Sequence, residues 1–250
     1  MQESKAERQY DKWWDDFKTA NLDEPGTAYR VELVEKAIKK IDPKNLLDTG
    51  CGSAEFLKKI AAKSKFKKIS LAGFDVSKKI IERNKKKYKD VFFFCSDLNA
   101  QLIESEKKYD LVISTEVIEH LTDWKHSLKG IAGMVKSGGS LVITTQAGKI
   151  YQHHKDLGHL KHFKKNEITK ELVKNNFEII ESRYCGWPFM NLKNILVNIF
   201  YGTVEDGMMK AKKQSTMNKI IFKIFGILYK ISSKRKGPQI FIIGRKIVKP

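Results

Sequence analysis

Short apolar runs alternate with amphipathic stretches through the middle of the chain. Runs rich in branched and aromatic residues are typical of strands, whereas apolar residues three and four positions apart are typical of helices. The predicted strands are Asn45–Thr49, Ile69–Phe74, Val91–Cys95, Leu111–Ser114 and Ser140–Thr145. The helices predicted between them are Ala54–Lys63, Ser77–Tyr88 and Trp124–Val135. This alternation predicts an α/β fold of right-handed βαβ units, with helices on both faces of a parallel sheet.

The pattern continues on both sides of these units. Helices are predicted over Glu3–Phe17, which carries Trp13, Trp14 and Phe17, and from about Thr27 to Ile41, where Asp42-Pro43 ends the second one. Beyond these units we expect a helix over Asn166–Asn175, a strand over Glu178–Tyr184 and a final strand over Gln239–Ile247. The chain is therefore divided into N-terminal helices (1–44), a core (45–185), a helical insertion (186–236) and the last strand of the core (237–250).

The insertion differs from the core in character. Phe189–Tyr201 and Met217–Ile231 are strongly apolar, and Lys219, Lys223 and Lys230 fall on one stripe of the second predicted helix. One interpretation is a cap that buries its apolar face on the core and exposes its lysines. The alternatives are a surface that docks on anionic lipid or a lipid-linked substrate, and a helix that binds a partner protein.

The net charge of the chain limits the kinds of molecule that we expect it to bind. The 250 residues contain 48 Lys and Arg against 29 Asp and Glu, a net charge of +19. Residues 207–250 contain twelve basic residues and no acidic one, so this segment favours an anionic partner. No apolar run is long enough to span a membrane, and the first residues do not resemble a signal peptide. The three cysteines are widely separated and suggest no disulfide framework, so we expect a cytoplasmic protein. Peripheral membrane contact through residues 208–236 is a candidate.

A glycine loop follows the first predicted strand in the sequence Asp48-Thr49-Gly50-Cys51-Gly52. The glycines allow a sharp turn and close approach of a ligand. Glu55 stands where a nicotinamide-binding loop has its third glycine, and the loop lacks the lysine of a phosphate-binding loop. A glutamate at a helix start also disfavours a pyrophosphate. The loop therefore fits a nucleoside ligand without phosphates.

Acidic residues also end the next two predicted strands. Asp75 lies where a carboxylate accepts both ribose hydroxyls of a bound nucleoside, and Asp97 could accept from an adenine amino group. Each aspartate could instead cap a helix or stabilise a turn. Because ligands of open α/β sheets bind at the carboxyl ends of the strands, acidic residues at three successive ends favour a ligand site.

The stretches LLDTGCGSAEF, GFDVS, CSDL, YDLVISTEVIEHL and MVKSGGSLVITT follow one another from about Asn45 to Thr145. In this order the chain resembles the class I S-adenosylmethionine-dependent methyltransferases, in particular the group that includes the ubiquinone-biosynthesis O-methyltransferases. The resemblance implies a Rossmann-like sheet of seven strands, the last of them antiparallel. It also implies S-adenosylmethionine as the cofactor and S-adenosylhomocysteine as its product.

The resemblance assigns cofactor contacts residue by residue. It implies that Asp48, Gly50 and Gly52 meet the methionine end, Asp75 and Val76 the ribose, and Asp97 and Leu98 the adenine. Arg30 corresponds to an arginine that meets the cofactor carboxylate in quinone enzymes, and Glu116 ends the strand that faces the cofactor sulfur. Ala54 replaces a third glycine of the family, so we expect weaker or shifted cofactor binding at worst.

The segment after the fourth predicted strand contains two carboxylates and an imidazole. Glu116, Glu119 and His120 are spaced as on one face of a helix, and together they could bind a divalent ion such as Mg²⁺. The resemblance adds that an E-x-x-E-H arrangement binds metal in small-RNA 2′-O-methyltransferases. The alternatives are that His120 is catalytic or positions the acceptor without metal, and that these residues are purely structural.

A second histidine cluster follows the fifth predicted strand, on the substrate side of the family fold. It contains His153, His154, His159 and His162. Its candidate roles are general base, fourth metal ligand or anion contact, and the alternative is a solvated loop. Since His159 and His162 resemble a G-H-x-R-x-F/Y element of related enzymes, we favour them over the other two. The predicted catalytic residues are therefore His120, His159 and His162.

These expectations favour O-methyl transfer to a small acceptor. The candidates are a glycan or sugar phosphate, a lipid-linked compound and a quinone-type phenol, with an anionic acceptor favoured by the charge. RNA ribose 2′-O-methylation is the first alternative, although no separate nucleic-acid module is evident. The second is a methyltransferase-like protein that only binds partners, as a scaffold.

Overall fold

The computed structural model describes residues 24–100, 107–199 and 224–248, together with residues 11 and 22. The predicted helix Glu3–Phe17, with Trp13, Trp14 and Phe17, lies outside the described residues except for Asp11. The same holds for residues 200–223 of the insertion, and so for Lys219 and Lys223.

Seven strands form one mixed sheet in the order β3-β2-β1-β4-β5-β7-β6. Only β7 runs antiparallel to its neighbours, β5 and β6, as the resemblance implied. The strands are β1 (Asn45–Thr49), β2 (Ser70–Asp75), β3 (Val91–Cys95), β4 (Tyr109–Thr115), β5 (Val135–Gln146), β6 (Phe177–Cys185) and β7 (Gln239–Lys246).

Except for a short helix over Gln152–Asp156, which was not predicted, the helices agree with the hydrophobic pattern in place and order. They are α1 (Pro25–Ile41), α2 (Glu55–Ala61), α3 (Lys78–Lys87), α4 (Trp124–Gly133), α5 (Gln152–Asp156), α6 (Lys165–Lys174) and α7 (Phe189–Ile199). The main difference in bounds lies between α4 and β5. The prediction extended the helix to Val135 and began the strand at Ser140, whereas Val135 already belongs to β5. Gly138 and Gly139 suggest a turn in sequence, but here they lie within a strand whose register against β4 shifts at Tyr109/Leu111.

Side chains alternate between two cores because both faces of the sheet are covered. In β5, Leu141 and Ile143 point to one face, where α4 and α6 pack, and Val142 points to the other. The second face is covered by α1, α2 and α3. Strands buried on both faces are apolar along their length, so polar side chains concentrate at their ends.

The carboxyl ends of the parallel strands lie along one edge of the sheet. β1, β2, β4 and β5 end there at Thr49, Asp75, Thr115 and Gln146, and the glycine loop leaves β1 at the same edge. This edge therefore gathers the loops that contain the predicted site residues.

The described parts of the insertion pack on α1. In α7, the Lys193 ammonium pairs with the carboxylate of Glu24, which caps α1. In the helical residues 224–230, Tyr229 is fully buried against Tyr29, with ring centroids 6.3 Å apart, and the Lys230 ammonium lies 2.8 Å from the Glu32 carboxylate. These contacts join the described parts of the insertion to α1.

The same two helices also expose apolar side chains, which we call the apolar helix surface. On α7 they recur at the spacing of one helix face, and a second row lies on the helix that follows in the described chain. The surface comprises Leu192, Ile195, Leu196, Ile199, Ile224, Ile227 and Ile231, each between 43% and 70% exposed. None of the helices within the described ranges has the length and apolar character required to cross a membrane.

The charge of Glu24 links α7 to the start of α1, so the stability that this contact contributes should depend on pH. Burial acts to raise its pKa, but Lys193, Arg30 and the backbone N–H of Thr27 lower that pKa from 4.5 to about 2. A lowered pKa contributes stability above the unfolded value, and this stability is lost as pH falls through the folded value. We expect Glu24→Gln to reduce the free energy of unfolding by about 2 kcal/mol at pH 7.

The difference in the free energy of unfolding between Glu24→Gln and the unaltered protein should decrease steadily as pH falls from about 4.5 to 2. Urea denaturation over a pH series measures it, with Glu82→Gln at an exposed position of α3 as the control. A difference that stays constant with pH would contradict the electrostatic role of Glu24.

Candidate active site

The glycine loop turns through left-handed backbone conformations. Gly50 and Gly52 have φ values of 66° and 50°, which favour glycine. A Cβ at Gly50 would lie 2.7 Å from Cγ2 of Val117, so close packing also excludes a side chain there. Ala54, which replaces the third glycine of the family, adopts φ 57° and caps α2. Residue 54 therefore keeps the left-handed conformation although its side chain is a methyl group.

Asp75 ties the glycine loop to the end of β2. Its Oδ2 accepts from the backbone N–H of Gly52 at 2.9 Å, and its Oδ1 accepts from that of Ser77 at 3.0 Å. Burial raises the pKa of Asp75, while these backbone donors oppose the rise. The loop is held on its other side by the Asn84 amide, which donates to the Gly52 carbonyl at 2.7 Å. Asp75 thus lies beside the loop, and its ribose contact stays a prediction.

Asp48 lies beneath the same loop. It is buried, and its Oδ1 has no hydrogen-bond partner within the described part of the chain. Burial raises the pKa of Asp48 well above its usual value, and the charge of Asp75 raises it further. A buried carboxylate oxygen without a partner costs free energy, which a ligand that donates a hydrogen bond would recover.

The predicted adenine contacts follow β3. The Asp97 Oδ1 accepts from the backbone N–H of Asn99 at 2.8 Å, which is the turn-stabilising role named as its alternative. Leu98 is buried in the core, and its carbonyl accepts from the Ser127 hydroxyl at 2.8 Å. Val76 is half-buried directly after Asp75. The adenine and ribose roles of these residues stay predictions.

Glu116 follows β4 in a left-handed conformation with φ 54°. Its Oε1 accepts from the Thr144 hydroxyl at 3.0 Å and the Gln239 amide at 2.8 Å, and its Oε2 accepts from the Gln146 amide at 2.6 Å. The Arg30 Nε lies 3.8 Å from Oε1. Glu116 and Arg30, both predicted cofactor residues, therefore form an ion pair beside the loop.

Glu119 lies in a single 3-10 turn, Ile118–His120, and is fully buried. Its Oε2 accepts from the Thr145 hydroxyl at 2.7 Å, whereas its Oε1 has no hydrogen-bond partner among the described residues. Burial raises the pKa of Glu119 well above its usual value, and the negative charge of Glu116 adds to the rise.

Five histidines gather next to Glu119. The ring of His159 lies 4.8 Å from that of His120 and 5.3 Å from that of His154, and its Nδ1 lies 3.0 Å from the His162 Nε2. The His153 ring contacts that of His154, with ring centroids 4.0 Å apart and ring planes tilted by 51°. The two predicted histidine groups thus form one cluster, and the solvated loop named as the alternative is not what these contacts describe.

Burial keeps the imidazoles neutral. It lowers the pKa of all five histidines, and together with the neighbouring histidines it lowers the pKa of His154 and of His159 to about 3. The Nδ1 of His120 lies 3.1 Å from the Gly158 carbonyl oxygen, which can only accept, so Nδ1 carries the proton. A neutral imidazole presents a nitrogen lone pair to a proton or a metal ion.

One group of side chains has the geometry of a metal site. Ligand atoms of Glu119, His120 and His159 lie within 4.8 Å of one another, and Glu116 is not part of this group. The prediction placed Glu116 with Glu119 and His120, but Glu116 is held toward Arg30, and His159 stands in the group instead. Mg²⁺ prefers oxygen ligands, whereas one carboxylate and two imidazoles fit Zn²⁺ or a similar transition-metal ion.

Four site residues were not predicted. Thr144, Thr145 and Gln146 end β5, and Gln239 begins β7, where it is 1% exposed. The two glutamines lie directly opposite each other in the register of β5 and β7. Their signal in the sequence is a polar side chain at the end of an apolar strand, but the pairing of these strands is not visible there.

Comparison with known proteins identifies related sequences. A family model described as a methyltransferase domain matches residues 27–182, more than half of the chain. The ubiquinone biosynthesis O-methyltransferase of Nitrosomonas europaea is 27% identical over 140 residues, which cover 53% of this chain and 57% of that protein. Malonyl-[acyl-carrier protein] O-methyltransferase 1 of Ilyobacter polytropus is 26% identical over 199 residues, 74% of this chain and 72% of that protein.

A solved structure supports the fold. The N-methyltransferase NodS from Bradyrhizobium japonicum, in complex with S-adenosylhomocysteine, superposes with a TM-score of 0.59 at 14% identity. The superposition covers 97% of this chain and 99% of that one. The match to the ubiquinone relative, in contrast, spans little more than half of that relative's length.

Proposed function

Because the chain belongs to the class I S-adenosylmethionine-dependent methyltransferases, we propose that it methylates a hydroxyl oxygen of a small acceptor. Two relatives that match it are named as O-methyltransferases, one of ubiquinone biosynthesis and one of malonyl-[acyl-carrier protein]. The observation that carries the proposal is the array of polar groups at one edge of the sheet. It combines the left-handed glycine loop, the buried carboxylates Asp48 and Asp75, and the Glu116–Arg30 pair.

The described residues fit the parts of S-adenosylmethionine. Asp75 lies at the end of β2, where a carboxylate can accept from ribose hydroxyls. The Glu116–Arg30 ion pair offers opposite charges to the ammonium and carboxylate of the methionine end. Asp48 offers an oxygen that lacks a partner in the described structure. The cofactor supplies an electrophilic methyl group on a sulfonium, and the chain supplies its placement.

The histidine cluster is the proposed acceptor side. A hydroxyl loses its proton when it is methylated, and a neutral imidazole can accept it. His120 and His162 are the better candidates for this role, because a pKa of about 3 makes His159 a weak base. Glu119, His120 and His159 also fit a transition-metal ion, which would lower the pKa of a bound hydroxyl. Both arrangements place the acceptor oxygen at the same cluster.

The surface around the insertion favours a lipid-linked acceptor. The apolar helix surface lies on two helices that pack on α1, which also carries Arg30. Twelve basic residues between positions 207 and 250 would attract an anionic surface. An acceptor with an apolar tail and an anionic headgroup matches both features. We therefore include peripheral contact with an anionic membrane in the proposal.

Cofactor binding is the direct test of the proposed function. Calorimetric titration with S-adenosylhomocysteine should show one site per chain, and Asp75→Ala should weaken binding at least about tenfold, because hydrogen bonds to a charged group are lost. Asp90→Asn, at an exposed position before β3, is the matched control. A folded protein that binds no cofactor would overturn the proposal and favour a scaffold, and an unchanged affinity in Asp75→Ala would refute the ribose assignment.

Metal binding can be measured without turnover. Equilibrium dialysis should show one Zn²⁺ per chain, bound more tightly than Mg²⁺, because the group contains two nitrogen donors. We expect His159→Ala and Glu119→Gln each to weaken Zn²⁺ binding about tenfold or more. His126→Ala, on α4 outside the cluster, should leave it unchanged. Equal Zn²⁺ affinity in all variants would place the ion elsewhere.

Vesicle binding tests the membrane part of the proposal. The protein should sediment with vesicles that contain an anionic phospholipid, less with zwitterionic vesicles, and less at high salt. The double variant Ile195→Asn/Ile199→Asn should lose binding while its cofactor affinity stays unchanged. Val173→Asn, at an exposed apolar position of α6, is the control. Equal sedimentation of both variants would show that the apolar helix surface does not contact the membrane.

A further inference from the structure

The Glu116 carboxylate is held by more side-chain donors than an ordinary surface carboxylate. Thr144 and Gln239 donate to Oε1, and Gln146 donates to Oε2. Of the roughly four lone-pair positions of a carboxylate, three are therefore occupied before any ligand binds. A rotation of the Glu116 side chain would break at least one of these contacts.

The two glutamines also orient each other. The Gln146 amide donates to the Gln239 Oε1 at 3.2 Å, and the Gln239 amide donates to the Thr145 carbonyl at 2.9 Å as well as to Glu116. Turning either amide over would place its oxygen against the carboxylate of Glu116. The pair therefore has one satisfactory arrangement, in which both amide nitrogens face Glu116.

This arrangement separates two carboxylates that are close in sequence. The glutamines and Thr144 hold Glu116 toward Arg30, while Glu119 lies with His120 and His159 in the group of possible metal ligands. Arg30 is held from its other side by the Thr27 hydroxyl, which accepts from Nη2 at 2.9 Å. Glu116 and Arg30 thus form a positioned pair of opposite charges, 22% and 18% exposed.

We propose that Gln146 and Gln239 are positioning residues that hold Glu116 beside Arg30 to recognise the amino-acid end of the cofactor. This inference rests on the proposed function, because only that end carries both an ammonium and a carboxylate. The ammonium would meet Glu116 and the carboxylate Arg30. The glutamines act through Glu116 and are not catalytic residues.

Two ligands separate this role from general support of the fold. S-adenosylhomocysteine has the amino-acid end, whereas 5′-methylthioadenosine shares the nucleoside and the thioether but lacks that end. We expect Gln239→Leu to weaken the binding of S-adenosylhomocysteine about tenfold, which is the scale of a hydrogen bond to a charged group. The affinity for 5′-methylthioadenosine should change less than about twofold. Gln146→Leu, at a half-buried position, should show the same selectivity and provides a second variant if Gln239→Leu does not fold.

Ser140→Ala is the matched control, because Ser140 is also a buried polar residue of β5 but lies near the middle of the strand, away from Glu116. Calorimetric titration of the full chain with both ligands gives the result. If the variants bind both ligands equally more weakly, the glutamines have a general structural role and the inference is overturned. Unchanged affinity for both ligands would also overturn it. If the unaltered protein binds neither ligand, the proposed function itself fails, which is a different result from a loss confined to the variants.

Discussion

The parallel pairing of β1, β2, β4 and β5 is the constraint on which the candidate site depends, because it aligns the carboxyl ends of four strands at one edge of the sheet. Both faces of this sheet are buried, so its strands are apolar along their length and polar groups appear where the strands end. Residues far apart in the chain, such as Asp75 and Gln146, thereby reach one region. The fold determines where chemistry can occur, and the loops determine which chemistry it is.

Several residues at the same edge have left-handed backbone conformations. Gly50 and Gly52 adopt them without steric cost, but Ala54 and Glu116 do so with a Cβ, at about 1–2 kcal/mol each. Such strain persists where the surrounding structure determines the conformation, and this is commonly at functional sites. At Ala54 the loop keeps a turn that the family usually makes with glycine. At Glu116 the turn directs the carboxylate away from the metal-ligand group and toward Arg30.

Most of the fold could be predicted from the sequence because the periods of strands and helices are local properties of the chain. The site was predictable as far as it follows from strand ends, as for Asp48 and Asp75. The grouping of Glu116 with Glu119 and His120 was wrong in its geometry: it assumed a helix, whereas a left-handed residue and a single 3-10 turn occupy the segment. His159 had a candidate role as a fourth metal ligand from the histidine cluster, and it lies in that group. The contact of Gln239 with Glu116 depends on tertiary structure, which no local pattern records.

The separation of Glu116 from Glu119 has an electrostatic consequence for the whole site. Burial and the charge of Glu116 both disfavour ionisation of Glu119, so the Glu119 carboxylate needs a cation, either a proton or a metal ion. The neighbouring imidazoles are kept neutral by burial and supply lone pairs instead of positive charge. A metal ion that binds there must displace the proton of Glu119, which couples its affinity to pH in the direction of tighter binding at higher pH. Arg30 and the amide donors balance part of the charge of Glu116, but that charge still acts on Glu119. The cofactor end and the acceptor end of the site are therefore coupled electrostatically.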